Sequence, residues 1–160
     1  MRAEVENIIG EIGEIKTFQW GIMPEFNLLA DHAELPLAFM IPPVVFRKAK
    51  TTSQYLSTYM VTVLFLKQTQ LSDAIDTTKY EAIKEMRELA NTFTDKMVKK
   101  YGPAPSKTRE TGVDNIIIHS PNPDDKTDIN AYFNLFDTNL SGVGVTMDVS
   151  VYEKATDCWI

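Results

Sequence analysis

The chain has 160 residues, 44% of them hydrophobic, and carries 16 Lys and Arg against 22 Asp and Glu, for a formal charge of -6. That length supports one well-filled core rather than two, and the acidic balance argues against a sequence-independent grip on nucleic acid by broad phosphate neutralisation. The single cysteine, Cys158, excludes an intramolecular disulfide framework and a cysteine-based metal site.

The first seven residues carry acids and lack the apolar stretch of a secretory signal, and runs such as Met60 to Leu66 fall far short of membrane-spanning length. A soluble protein made in the cytoplasm is expected, as one domain over 1–160 with neither repeats nor low-complexity tracts. Val5, Ile8, Ile9, Ile12 and Ile15 recur at spacings of three and four and predict a first helix from Ala3 to Glu14. Gly10 and Gly13 lie inside it, each costing about 1 kcal/mol against Ala in a helix interior. The helix is therefore expected to end early, with Thr17 to Ile22 extended.

Leu35 to Arg47, "LPLAFMIPPVVFR", is a β-rich apolar run interrupted by Pro42 and Pro43. Proline cannot donate to a ladder, so the pair marks a strand end, an edge or a bulge. Tyr55 to Lys67, "YLSTYMVTVLFLK", has apolar groups on both parities, as in a central strand covered on both faces in its second half. At about 3.4 Å per residue thirteen residues span about 44 Å, more than a domain of this size needs. A projecting hairpin arm over about 44–60 is expected.

The second helix is the clearest element. Tyr80, Ile83, Met86, Ala90, Phe93 and Met97 form its apolar stripe, with Leu89 and Val98 beside it. Thr78 and Glu81 have the spacing of a capping box, Tyr101-Gly102-Pro103 ends the helix, and Lys96, Lys99 and Lys100 complement the macrodipole in its last turn. A short strand follows at Asn115 to His119, then the turn-rich Ser120 to Asp128. Two more strands close the chain, Ile129 to Phe136 and Val143 to Tyr152, each with apolar residues on alternate positions. Between them "DTNLSG" supplies turn chemistry at Asp137, Asn139 and Gly142, while Leu140 is an apolar residue at a polar tip. The fold class expected is α+β, a mostly antiparallel sheet with two main helices packed on one face.

Signals for chemistry are sparse. His32 and His119 have no partner at zinc-ligand spacing, and Asp124, Asp125 and Asp128 lack the glycine and downstream Glu of a calcium loop. Glu81, Glu85 and Glu88 read as a solvated helix face paired with Lys84 and Arg87. Ser141-Gly142 follows no nucleophile-elbow pattern. No catalytic residue, cofactor or metal is expected. An enzyme or ligand-binding reading would need Asp114, His119 and Asp128 to converge in one pocket. An adaptor reading would need an exposed strand edge that takes up a partner strand.

The patterns "LPLAFMIPP", "YMVTVLFLKQTQL", "EAIKEMRELANTF" and "FNLFDTNLSGVGVTMDVSVYE", from about Leu35 to Glu153, resemble small virion proteins of phages and prophages of Bacteroidetes. The order of elements is similar to the tail-terminator and neck-protein fold of tailed phages. The resemblance implies a non-enzymatic structural role in the virion, after synthesis in the host cytoplasm. It implies a homo-oligomeric ring at the head-tail junction, sixfold or matched to the portal. Portal, connector or tail proteins would be its neighbours, with DNA only passing through the lumen and no membrane involved. Candidate assembly residues are the basic Arg47, Lys48 and Lys50, the apolar Leu140, and Trp159 and Ile160 in the tail from 154 to 160. The basic trio reads equally as charge that keeps an exposed edge from aggregating. The alternative function is a small cytoplasmic ligand-binding or adaptor domain.

Overall fold

A computed structural model describes residues 1–22, 33–49, 54–69, 77–101, 116–119, 129–135 and 139–154. Within them the chain is α+β. It runs through α1 (Arg2–Gly10), β1 (Thr17–Trp20), β2 (Leu37–Ala49), β3 (Gln54–Gln68), α2 (Thr77–Tyr101), β4 (Ile116–His119), β5 (Ile129–Leu135) and β6 (Leu140–Lys154). The sheet is mixed, with neighbours in the order β1-β2-β3-β6 and both β4 and β5 on the outer side of β6. β1 runs parallel to β2, whereas every other described pairing is antiparallel.

β3 is the spine. β6 pairs with it from Gln54↔Lys154 to Gln68↔Leu140, and β2 pairs on its other side from Leu37↔Leu66 to Ala49↔Tyr55. Its two-parity apolar pattern is explained by this position: Val61, Val63 and Phe65 are buried on one face and Leu64 and Leu66 on the other. The first face receives both helices. Val5, Ile8, Ile9 and Ile12 and the α2 residues Ile83, Met86, Ala90, Phe93 and Met97 join Ala38, Met40, Val143, Val145, Met147 and Val149 in one core. Phe65 and Phe93 meet there with ring centroids 5.6 Å apart. Lys96 and Lys100 on α2 reach Glu11 at 3.0 Å and Glu4 at 3.4 Å, tying α1 down along its length.

α1 ends early, at Gly10, as expected from the two glycines, and β1 follows at Thr17. Other expectations are corrected. α2 begins at Thr77, so Thr78 lies in its first turn. Tyr80 is not on the buried stripe: it is exposed, and Lys79 occupies the buried position one residue earlier. The spacing explains this, because Lys79 stands three, four and seven residues before Ala82, Ile83 and Met86, all of which are buried. Gly142 is not a turn residue. β6 starts at Leu140, placing Gly142 inside the ladder opposite Leu66. Asn139 alone among the described turn residues has a positive φ, 54°, which Asn tolerates better than most residues.

Pro42 and Pro43 sit at a register break between Ile41 and Val44. β1 covers the outer edge of β2 only from Leu37 to Met40. Both prolines therefore fall where β2 has no partner on that side among the described residues, and a missing N–H costs no ladder bond.

Candidate functional site

The far side of the sheet, away from the helices, changes character along its length. At one end Leu37, Phe39, Leu64, Leu66 and Leu140 are buried together, with Ala33, Leu35 and Ile41 packed around them. Beyond the proline bulge the same face is apolar but wet. Val44 and Met60 are paired across β2 and β3, and Phe46 is the next residue on that face. Val44 and Met60 are exposed, and Phe46 is 62% exposed. Val45, which points to the helix side, is exposed as well.

This surface is built stiffly. On β3 and β6 the neighbours of the apolar group are hydroxyls paired across the strands, Thr58 with Ser150 at 2.8 Å and Thr62 with Thr146 at 3.1 Å. Such cross-strand pairs hold register without charge. Asp148, paired with Met60 in the ladder, is the exposed carboxylate at its rim. An exposed apolar group at a strand edge otherwise invites uncontrolled pairing.

Comparison with family models and with curated proteins finds no match to this chain.

Among the candidate assembly residues, Arg47 and Lys48 lie near the end of β2, in strand conformation, beside the exposed apolar group. Lys50, Trp159 and Ile160 lie outside the described residues. Leu140 is corrected: it is 2% exposed and belongs to the chain's own far-side core. Its turn position suggested exposure, but β6 begins at that residue. The alternation of the strand then directs it to the same side as Gly142 and Gly144, against Leu64 and Leu66.

Of the residues weighed for chemistry, few are described. His119 is in β4, while Asp114 and Asp128, like His32, Asp124, Asp125 and Cys158, fall outside the described residues. Among the described residues no group of three or more His, Cys, Asp or Glu is placed to hold a metal. None of the described helices is long and apolar enough to cross a membrane. Glu81, Glu85 and Glu88 line a solvent-open depression of about 410 Å³ with Lys67, Gln68, Ala82 and Lys84. Glu85 is ion-paired there to Lys67 of β3, a partner that helix spacing does not reveal. Exposed on both sides, this pairing is ordinary surface chemistry.

Val44, Phe46 and Met60 were within the expected arm but were not singled out from the sequence. The available signal was the switch after Pro43 from alternation to Val44-Val45-Phe46, apolar on both sides, in a segment too long for the domain to cover.

Proposed function

We propose that this chain is a virion structural protein that assembles with copies of itself into a ring at the head-tail junction of a tailed phage, as tail-terminator and neck proteins do. The observation that carries this reading is the exposed apolar group Val44, Phe46 and Met60 on a rigid strand ladder, where an isolated chain gains nothing from it. The α+β architecture with two helices against one face agrees with it, as does the sequence resemblance from Leu35 to Glu153. A formal charge of -6 suits a ring around passing DNA, because like charge lets the duplex slide without adhering. Arg47 and Lys48 then contact acidic surfaces of neighbouring subunits.

The test is light scattering with negative-stain imaging of the purified protein. Closed rings of uniform symmetry are expected. A strictly monomeric protein that is also absent from purified particles overturns the reading. The outer edge of β2 beyond Met40, which has no strand partner among the described residues, favours a second reading, an adaptor that takes up a strand from an unrelated protein. A one-to-one complex without self-assembly distinguishes it.

A further inference from the structure

Beyond the proline bulge the sheet continues as a four-stranded blade. Val44, Met60, Asp148 and His119 form one row across β2, β3, β6 and β4. The next rows are Val45, Tyr59, Val149 and Ile118; Phe46, Thr58, Ser150 and Ile117; and Arg47, Ser57, Val151 and Ile116. β2 and β4 are the outer strands of these rows, and neither has a further strand partner on its outer side among the described residues. Unpaired ladder edges at the same level on opposite sides of one blade are complementary by construction, since each presents a row of backbone donors and acceptors.

Resting on the assembly reading above, we infer that the occupant of the β2 edge is the β4 edge of a second copy, so that Val44–Arg47 of one chain pairs with Ile116–His119 of the next. Strand direction supports this. With an even number of alternating strands, β2 and β4 run in opposite directions, and repetition around an axis sets β4 antiparallel to the neighbour's β2. Charge supports it too. A two-fold β2-to-β2 contact would put Arg47 and Lys48 of both copies into one ladder, whereas Ile116–His119 contains neither Lys nor Arg and lies beside exposed Asp148. Pro42 and Pro43 limit the contact, because the pairable edge starts only after them. Head-to-tail contacts of this kind close into rings when the rotation closes. The two-fold alternative through β2 leaves both β4 edges without a strand partner among the described residues.

Cysteine cross-linking of the full chain tests the pairing. In a Cys158→Ser background, Val45→Cys is combined in turn with Ile116→Cys, Ile117→Cys, Ile118→Cys and His119→Cys, and a second set uses Phe46→Cys. Opposed residues of an antiparallel pair stand about 4.5–5.5 Å apart, inside the roughly 4.4–6.8 Å that a disulfide spans. Oxidation of at least one double variant is expected to give a ladder of dimers, trimers and higher species on a denaturing gel, with no such ladder from the single-cysteine variants. Light scattering and thermal unfolding are recorded for each variant. A dimer from Val45→Cys or Phe46→Cys alone overturns the head-to-tail pairing in favour of the two-fold one. Folded oligomers with no ladder from either set overturn this inference and leave the assembly reading standing, while folded monomers throughout overturn both.

Discussion

Replacing Gly142 with alanine probes whether the β3–β6 ladder tolerates any widening. A Cβ at this position would fall on the carbonyl oxygen of Phe65, 2.9 Å from the Phe65 carbonyl carbon and 3.0 Å from Leu66 Cα. All three are backbone atoms of the central strand, so no side-chain rotation relieves the clash. The strands must separate by an ångström or more around Leu66↔Gly142. That loosens two or three ladder hydrogen bonds of about 0.5–1.5 kcal/mol each. It also strains the packing of Leu66 and Leu140 on either side, a type of overpacking that costs about 1–3 kcal/mol. The sum is a loss of about 2–7 kcal/mol, reduced by the roughly 0.4–1 kcal/mol that Gly→Ala removes from unfolded-chain entropy. Urea unfolding measures it. Gly10→Ala is the control, because nothing lies within 4 Å of the Cβ it would add at the end of α1, and it should be neutral or stabilising by up to about 1 kcal/mol. An unfolding midpoint for Gly142→Ala equal to that of Gly10→Ala would refute the close approach of the two backbones.

Leu140→Asp should unfold the chain or destabilise it by about 4 kcal/mol or more, since it removes a buried leucine and sets a carboxylate among Leu37, Phe39, Leu64 and Leu66; circular dichroism and urea titration read this, and a folded variant defective only in assembly would return Leu140 to the interface. Phe46→Ser should leave unfolding of the isolated chain within about 0.5 kcal/mol of the parent, as exposed substitutions do, while weakening self-association at least about tenfold if Phe46 anchors the contact; analytical ultracentrifugation checks both halves. Lys96→Ala, which removes the 3.0 Å ion pair to half-exposed Glu11, should cost less than about 1 kcal/mol and less still in high salt, and a larger, salt-independent loss would show that α1 is held by that pair more than by its apolar face.

The sequence made the layers legible but not the register. Periodicity located both helices, and the apolar runs located β2 and β3, because those signals depend on neighbours within one element. Lys79 and Tyr80 show where such reading fails. An aromatic ring outranks a lysine on any hydrophobicity scale, yet the position four residues before Ile83 is the one turned inward, and a long methylene stem fills it. Gly142 failed for a related reason. Glycine beside serine reads as a turn, and only the paired backbone of β3, seventy-six residues earlier in the chain, shows that the missing side chain is what allows the strands to meet.

Leu140 and Phe46 lie on the same face of one sheet and have opposite fates, and the proline bulge separates them. On one side of it, β1 covers the edge of β2 and the far-side leucines bury one another. On the other, β2, β3, β6 and β4 continue as a blade on which Val44, Phe46 and Met60 meet water. Core and contact surface thus share strands but not side chains. β3 passes through both, so its ladder transmits stiffness from the buried end to the exposed one, while substitutions at Val44, Phe46 or Met60 leave the core contacts untouched. Where the ladder holds the contact side chains in place before association, few rotamers and no loop remain to be ordered. Association then costs little conformational entropy, which is the condition under which a small apolar surface suffices to hold copies together.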